Sequence, residues 1–154
     1  GRVDKLVLMG IADEMPVHPE LLAAARANLP LGPDLIVFWG LGAPARIGGH
    51  PLPGLWVSGA VETLLKHSAA GVLAADLAAC DVYKGGYEAA AKIGCPVRLV
   101  LGQEDSMAPA KKGLALGKAM TAADVSSVVI PGAGHMMMLE QPGAVYRALK
   151  GFVF

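Results

Sequence analysis

The sequence predicts an α/β fold in which three parallel strands are flanked by helices. The strands are three short runs: Leu6–Met9, which Gly10 follows, residues 96–102, which end in glycine, and residues 125–131, which end in proline. The first two runs show no alternation of polar and apolar residues, which is typical of parallel strands covered on both faces. The third is rich in β-branched residues and is stopped by Pro131, which also favours a strand.

The connection between the second and third strands has the length of a βαβ unit. Residues 108–121 have apolar positions at helical spacing, so that strand, helix and strand fit within about 35 residues. Right-handed crossovers then make the two strands parallel neighbours, with their carboxyl ends at one edge. A terminal helix is predicted at residues 142–152, because Val145, Leu149 and Phe152 share one face.

A long stretch between the first two strands, residues 15–94, is predicted to be mostly helical. Four segments open with proline or a capping residue or carry a helical pattern: residues 19–28, 33–41, 53–67 and 69–79. This helical insertion is too large for a simple crossover, so we expect a cap or lid over the sheet edge. Residues 1–14 and 95–154 would then form the core.

Composition excludes several classes of protein. The 154 residues suffice for one domain, and 54% of them are hydrophobic, so disorder is not expected. Because thirteen basic residues balance thirteen acidic ones, no electrostatic attraction to nucleic acid or to an anionic membrane is predicted. No apolar run approaches the roughly 18 residues of a membrane span.

Cysteine usage points to no metal site. Cys80 and Cys95 lack the spacing of metal ligands and are interpreted as isolated buried thiols. No metal and no cofactor is predicted. No signal peptide is visible, which leaves the compartment unknown and favours the cytoplasm.

Two polar residues follow the second and third strands and form the candidate site. Asp105 lies three residues past Gly102, and His135 follows the third strand in the same way. Neighbouring parallel strands lie about 4.8 Å apart, so a carboxylate and an imidazole just beyond their ends can form a hydrogen bond. The carboxylate would orient the imidazole as a general base. Each residue also has a plainer interpretation, as the cap of the next helix and as an ordinary loop histidine.

Two segments resemble the α/β-hydrolase family. Residues 134–142 (GHMMMLEQP) are similar to the histidine signature of that family, which is Gly-His, four residues, Glu, any residue and Pro. Residues 95–102 (CPVRLVLG), with Asp105 beyond them, are similar to its acid-bearing strand. The resemblance implies that the three strands are the sixth, seventh and eighth of an eight-stranded sheet. It also implies that Asp105 and His135 are the acid and base of a catalytic triad, with Asp13 as a reserve acid.

The nucleophile expected from this resemblance is missing. The family carries it on a Gly-x-Ser-x-Gly turn, and the nearest segment here, around Ser58, lacks the leading glycine. We therefore expect the chain to be a C-terminal half, by truncation or proteolysis, with the nucleophile upstream of residue 1. Alone it should not catalyse acyl transfer, and Leu6–Met9 should expose an unpaired strand edge.

Several apolar residues are candidates for substrate binding. They are the two methionines near the pair and three aromatic residues of the helical insertion: Met107, Met136, Phe38, Trp39 and Trp56. Packing between helices is the alternative for the aromatic residues, and flexible core filling for methionines such as Met136. The other three histidines, His18, His50 and His67, are interpreted as surface or capping residues.

Three functions remain open from the sequence. The first is a serine hydrolase of the esterase or lipase type acting on a small apolar ester. The second is an epoxide hydrolase or dehalogenase with an aspartate nucleophile. The third is a small-ligand-binding homologue without catalysis. The expected partners are the substrate, the missing N-terminal half and a second copy in a possible homodimer.

Overall fold

Three parallel strands form the sheet of this computed structural model, which describes residues 2–153 and leaves Gly1 and Phe154 outside. They are β1 (Leu6–Met9), β2 (Val97–Gly102) and β3 (Val125–Ile130), in the order β1-β2-β3. In the register, Leu8 lies opposite Leu99, which in turn lies opposite Ser127. The predicted α/β class and the parallel pairing of all three strands are confirmed.

Helices connect and cover the strands. In the described residues they are α1 (Pro19–Arg26), α2 (Leu31–Gly40), α3 (Ala43–Arg46), α4 (Val57–Lys66), α5 (Val72–Val82), α6 (Gly86–Ala90), α7 (Ala110–Ala119), α8 (Met137–Glu140) and α9 (Pro142–Val153). The first six lie between β1 and β2, within the helical insertion. No helix among residues 2–153 has the length and apolarity that crossing a membrane requires.

The central strand β2 is buried on both faces, as its apolar run predicts. On one face Leu99 and Leu101 pack with Leu116 of α7. On the other face Val100 packs with Val145 of α9. Each such side chain contributes about 1.5–3 kcal/mol when removed from water, so both helices are held on the sheet chiefly by β2.

The helices of the insertion have apolar clusters of their own. Leu21, Ile36 and Leu77 join α1, α2 and α5. A second cluster joins Leu41 to Val57 and other residues of α3 and α4. The last helix, α6, instead packs against α7, with Ala90 in the cluster that surrounds Leu99.

The structure corrects the boundaries of the insertion helices. The helix predicted at residues 53–67 begins only at Val57, because Gly54 has a positive φ of 79° and Trp56 is extended. The short helices α3, α6 and α8 were not predicted. Capping by histidine is confirmed at two positions, since His18 caps the start of α1 and His67 caps the end of α4.

Candidate active site

Asp105 and His135 meet at the carboxyl edge of the sheet. The loop after β2 carries Asp105, and the loop after β3 carries His135; Oδ2 of the aspartate lies 2.9 Å from Nδ1 of the imidazole. The carboxylate side chain is fully buried, whereas the imidazole is 30% exposed. The predicted contact across two neighbouring strands is therefore present.

The two oxygens of Asp105 have separate partners. Oδ1 accepts the backbone N–H groups of Met107 at 2.9 Å and Ala108 at 2.7 Å, which fixes the turn before α7. Oδ2 is left for the imidazole. Asp105 thus binds both the imidazole and the turn before α7, but it does not cap that helix, whose N-cap is Pro109 without a side-chain hydrogen bond.

The contact with Asp105 determines which nitrogen of His135 is free. An ionised carboxylate only accepts hydrogen bonds, so Nδ1 must carry the proton and Nε2 the lone pair. Among the hydrogen bonds of residues 2–153, the His135 side chain takes part only in the one with Asp105. A lone pair on a partly exposed imidazole can accept a proton from a group that approaches the rim.

Gly10, the residue after β1, lies against the imidazole. Its φ is +54°, and a Cβ at this position would lie 3.0 Å from both Nδ1 and Cε1 of His135. The same Cβ would lie 3.3 Å from Oδ2 of Asp105. The end of β1 can therefore approach the pair this closely only with glycine.

The loop that carries His135 is held from its backbone. The N–H of His135 donates to the carbonyl of Gly40 at 2.7 Å, and Gly40 is the last residue of α2. The preceding N–H, of Gly134, donates to the carboxylate of Glu140, which is only 2% exposed. The same carboxylate accepts the N–H of Gly42 at 2.7 Å.

Of the predicted substrate-binding residues, the two methionines lie beside this loop. A Cβ at Gly40 would lie 3.3 Å from Sδ of Met107 and 4.0 Å from Cε of Met136. Gly40 is the residue that accepts from His135, so both thioethers lie close to the imidazole loop.

The three aromatic residues behave differently from one another. Trp39 packs among the helices of the insertion, with its ring centroid 5.2 Å from that of His18. Phe38 is 59% exposed and lies under the guanidinium of Arg46. Trp56 is 66% exposed. Trp39 is therefore packed between helices, whereas Phe38 and Trp56 remain largely exposed.

The remaining candidates form no hydrogen bond with the imidazole among residues 2–153. The backbone carbonyl of Asp13 accepts from Gly86, and the carboxylate that binds His135 is that of Asp105 rather than this reserve acid. The hydroxyl of Ser58, in α4, donates to the carbonyl of Ala45. Among residues 2–153 no three His, Cys, Asp or Glu side chains converge on a possible metal site.

Sequence reasoning gave no function to Gly10 or Glu140. In the sequence Gly10 only marks the end of a strand, because its positive φ is a property of the folded chain. Glu140 belongs to the motif at residues 134–142, which shows a fixed spacing but not the two amide groups that the carboxylate binds.

A buried carboxylate that holds an imidazole at the carboxyl edge of a parallel sheet is an acid–base pair of the kind found in hydrolases. The model of the α/β hydrolase family matches residues 6–148 of this chain. The chain therefore belongs to the α/β-hydrolase family, and the curated proteins include no significant match to it.

Solved structures agree with this assignment. A thermophilic esterase is 28% identical, with a TM-score of 0.77 over 97% of this chain and 56% of its own. The malate-bound esterase from Thermogutta terrifontis is 23% identical, with a TM-score of 0.75 over 99% of this chain and 56% of its own. An enol-lactonase from Burkholderia xenovorans LB400 shares the fold at 18% identity, with a TM-score of 0.81 and the same coverage. The chain thus spans little more than half the length of these proteins.

Proposed function

We propose that this chain supplies the acid and the base of a serine hydrolase that cleaves carboxylic esters. The observation that carries the proposal is the 2.9 Å contact between Asp105 and His135, which leaves Nε2 available at a partly exposed rim. The 28% identity to a thermophilic esterase over 97% of the chain supports an ester as the substrate.

In the proposed reaction, the nucleophilic serine lies upstream of residue 1. Nε2 of His135 takes the proton of the serine hydroxyl while the serine oxygen attacks the ester carbonyl. Asp105 stabilises the imidazolium that forms. The imidazolium then returns the proton to the departing alkoxide, which leaves an acyl-enzyme. Water, deprotonated by His135, attacks the acyl-enzyme, and the imidazolium returns the proton to the serine oxygen as the acid leaves.

The surroundings of the pair favour a substrate with an apolar acyl or alcohol part. The side chains of Met107 and Met136 both lie within 4.0 Å of the Cβ position of Gly40, next to the imidazole loop. Thioethers contribute polarisable apolar surface and adapt to irregular ligands. We propose these two residues as substrate contacts and the helical insertion as a cap over the site, with α2 nearest to His135.

The proposal is tested on the protein that carries this chain together with its upstream half. We expect it to hydrolyse short p-nitrophenyl esters and to react with a fluorophosphonate probe at a serine. His135→Ala should lower kcat/KM by about 10³-fold or more, because the serine loses its base. His67→Ala, which removes a histidine that caps α4, is the matched control and should retain turnover.

The outcomes separate the three functions that the sequence leaves open. Unchanged turnover in His135→Ala contradicts the proposal. Turnover of an epoxide or a haloalkane without fluorophosphonate labelling, through a covalent ester on aspartate, indicates the epoxide hydrolase or dehalogenase class. Ligand binding without turnover of any ester or epoxide indicates a non-catalytic homologue.

A further inference from the structure

We propose that Glu140 is a positioning residue. It binds the loop of His135 to the linker between α2 and α3, and this clamp fixes how far His135 extends from the rim of the sheet. The linker, taken with the last residue of α2 and the first of α3, is residues 40–43. The inference rests on the proposed function, because it assigns to a buried carboxylate the task of holding the catalytic base. Glu140 touches neither the imidazole nor the substrate in this assignment, and it acts only through the backbone.

The carboxylate of Glu140 binds two backbone amides that are far apart in sequence. Oε2 accepts the N–H of Gly42 at 2.7 Å and the N–H of Gly134 at 3.0 Å. Oε1 lies 3.1 Å from the nitrogen of Gly134. Such hydrogen bonds to an ionised acceptor are stronger than those between neutral groups.

No cation accounts for the burial of this carboxylate. Among the ion pairs of residues 2–153, none includes Glu140. A buried carboxylate is costly unless hydrogen bonds replace its water, and here backbone amides supply them. An apolar residue would avoid that cost, but it could not accept from both loops.

The two loops also bind each other directly, and they are closely packed. The N–H groups of His135 and Met136 donate to the carbonyl of Gly40, so the loop binds the linker directly as well as through Glu140. A Cβ at Gly134 would lie 2.5 Å from the nitrogen of Gly42, and one at Gly42 would lie 2.5 Å from the carbonyl oxygen of Gly132. The backbones therefore approach as closely as glycine permits.

A second carboxylate holds the same linker from the acid loop. Oε2 of Glu104, which precedes Asp105, accepts the N–H of Ala43 at 2.7 Å. Consecutive amides of the linker thus bind the loop of the acid and the loop of the base. Glu104 is exposed, so water can replace its contact, whereas water has little access to Glu140.

This clamp has a consequence for catalysis. The bond to Asp105 orients the imidazole ring, but the backbone at residues 134 and 135 sets the distance of the ring from a substrate. Displacing a catalytic group by about 1 Å can cost on the order of 100-fold in rate. Loss of the clamp should therefore lower kcat more than it alters KM.

The test compares three variants in the protein that includes the upstream half. Glu140→Gln keeps one oxygen able to accept from both amides, Glu140→Met keeps the length of the side chain but removes the acceptors, and Glu88→Gln changes an exposed glutamate of α6 as a control. Two quantities are measured: kcat and KM for a p-nitrophenyl ester, and the downfield Nδ1–H proton resonance of His135 by NMR.

We expect Glu140→Met to lower kcat by about 100-fold with KM within about threefold, and to shift or broaden the His135 resonance. Glu140→Gln should retain the resonance and most of kcat, and Glu88→Gln should match the wild type. If Glu140→Met does not fold, Glu140→Asp replaces it, because a carboxylate one methylene shorter cannot reach both amides.

Two results would overturn the inference. One is a Met or Asp variant that loses thermal stability while it keeps both kcat and the resonance, since Glu140 would then be merely structural. The other is a Gln variant as impaired as Glu140→Met. A wild type without esterase activity would contradict the proposed function instead, and the resonance would still report whether Glu140 positions His135.

Discussion

Gly10 is the single residue whose lack of a side chain most directly permits the acid–base pair. The imidazole and the carboxylate both lie within reach of its missing Cβ, and its φ of +54° is one that side-chain-bearing residues rarely adopt. Any substitution of Gly10 should therefore have two separable effects. One is backbone strain, which affects stability, and the other is displacement of the imidazole of His135, which is the base in the proposed function.

We expect Gly10→Ala to lower kcat of the complete protein by about tenfold or more, because the methyl group pushes the imidazole away from its position. Backbone strain should cost about 1–2 kcal/mol of stability. Gly48→Ala is the matched control, since Gly48 also has a positive φ, of 83°, but has nothing within 4 Å of a Cβ. Equal kcat values in the two variants, at similar losses in Tm, would contradict the assignment of Gly10.

Elements whose sequence pattern and burial agree were predictable, and those held by distant contacts were not. Strand β2 is an apolar run buried on both faces, and the pair meets because Asp105 and His135 follow adjacent parallel strands. Helix α8 has only four residues, Met137–Glu140, too few to show a helical period. Its Glu140 binds an amide 98 residues away, a contact that no local pattern encodes.

A partly exposed carboxylate links three segments of the chain outside the site. Glu14, after β1, lies 3.3 Å from Nζ of Lys84 and 3.5 Å from Nζ of Lys112 in α7. Hydrogen bonds and charge interactions, first with Lys84 and then with Lys112, hold the pKa of Glu14 below its ordinary value of 4.5. The unfolded state therefore binds more protons than the folded state as this group titrates, so the link stabilises the fold above that value.

We expect Glu14→Gln to lower Tm slightly at neutral pH. The difference from the wild type should vanish as the pH falls below 4.5 and through the lowered pKa, where Glu14 becomes protonated in both states. High salt should also reduce it, because the pair is exposed. The measurement is thermal unfolding of both proteins across this pH range. Glu88→Gln, which removes an exposed glutamate without an ion pair among the described residues, should lack this pH dependence.

At the scale of the whole molecule, β1 is an edge of the sheet. The N–H groups of Leu6 and Gly10 donate to carbonyls of Pro96 and Val100 on the β2 side. Because successive N–H groups of a strand point in opposite directions, those of Val7 and Met9 point to the open side of β1. An apolar strand with free donors and acceptors binds another strand readily. We propose that this side pairs with the upstream half of the protein, and with a second copy when that half is missing.

Residues 1–154 expressed alone should therefore self-associate through β1. We expect Val7→Pro to shift the species seen by sedimentation towards the monomer, because proline removes an outward N–H without breaking a bond to β2. Val129→Pro is the matched control: by the same alternation its N–H points outward from β3, the other edge, and association should persist. A wild-type chain that is monomeric and unfolds cooperatively would contradict the proposal, as would equal effects of the two prolines. A discrete dimer abolished only by Val7→Pro would support pairing of β1 with a second copy.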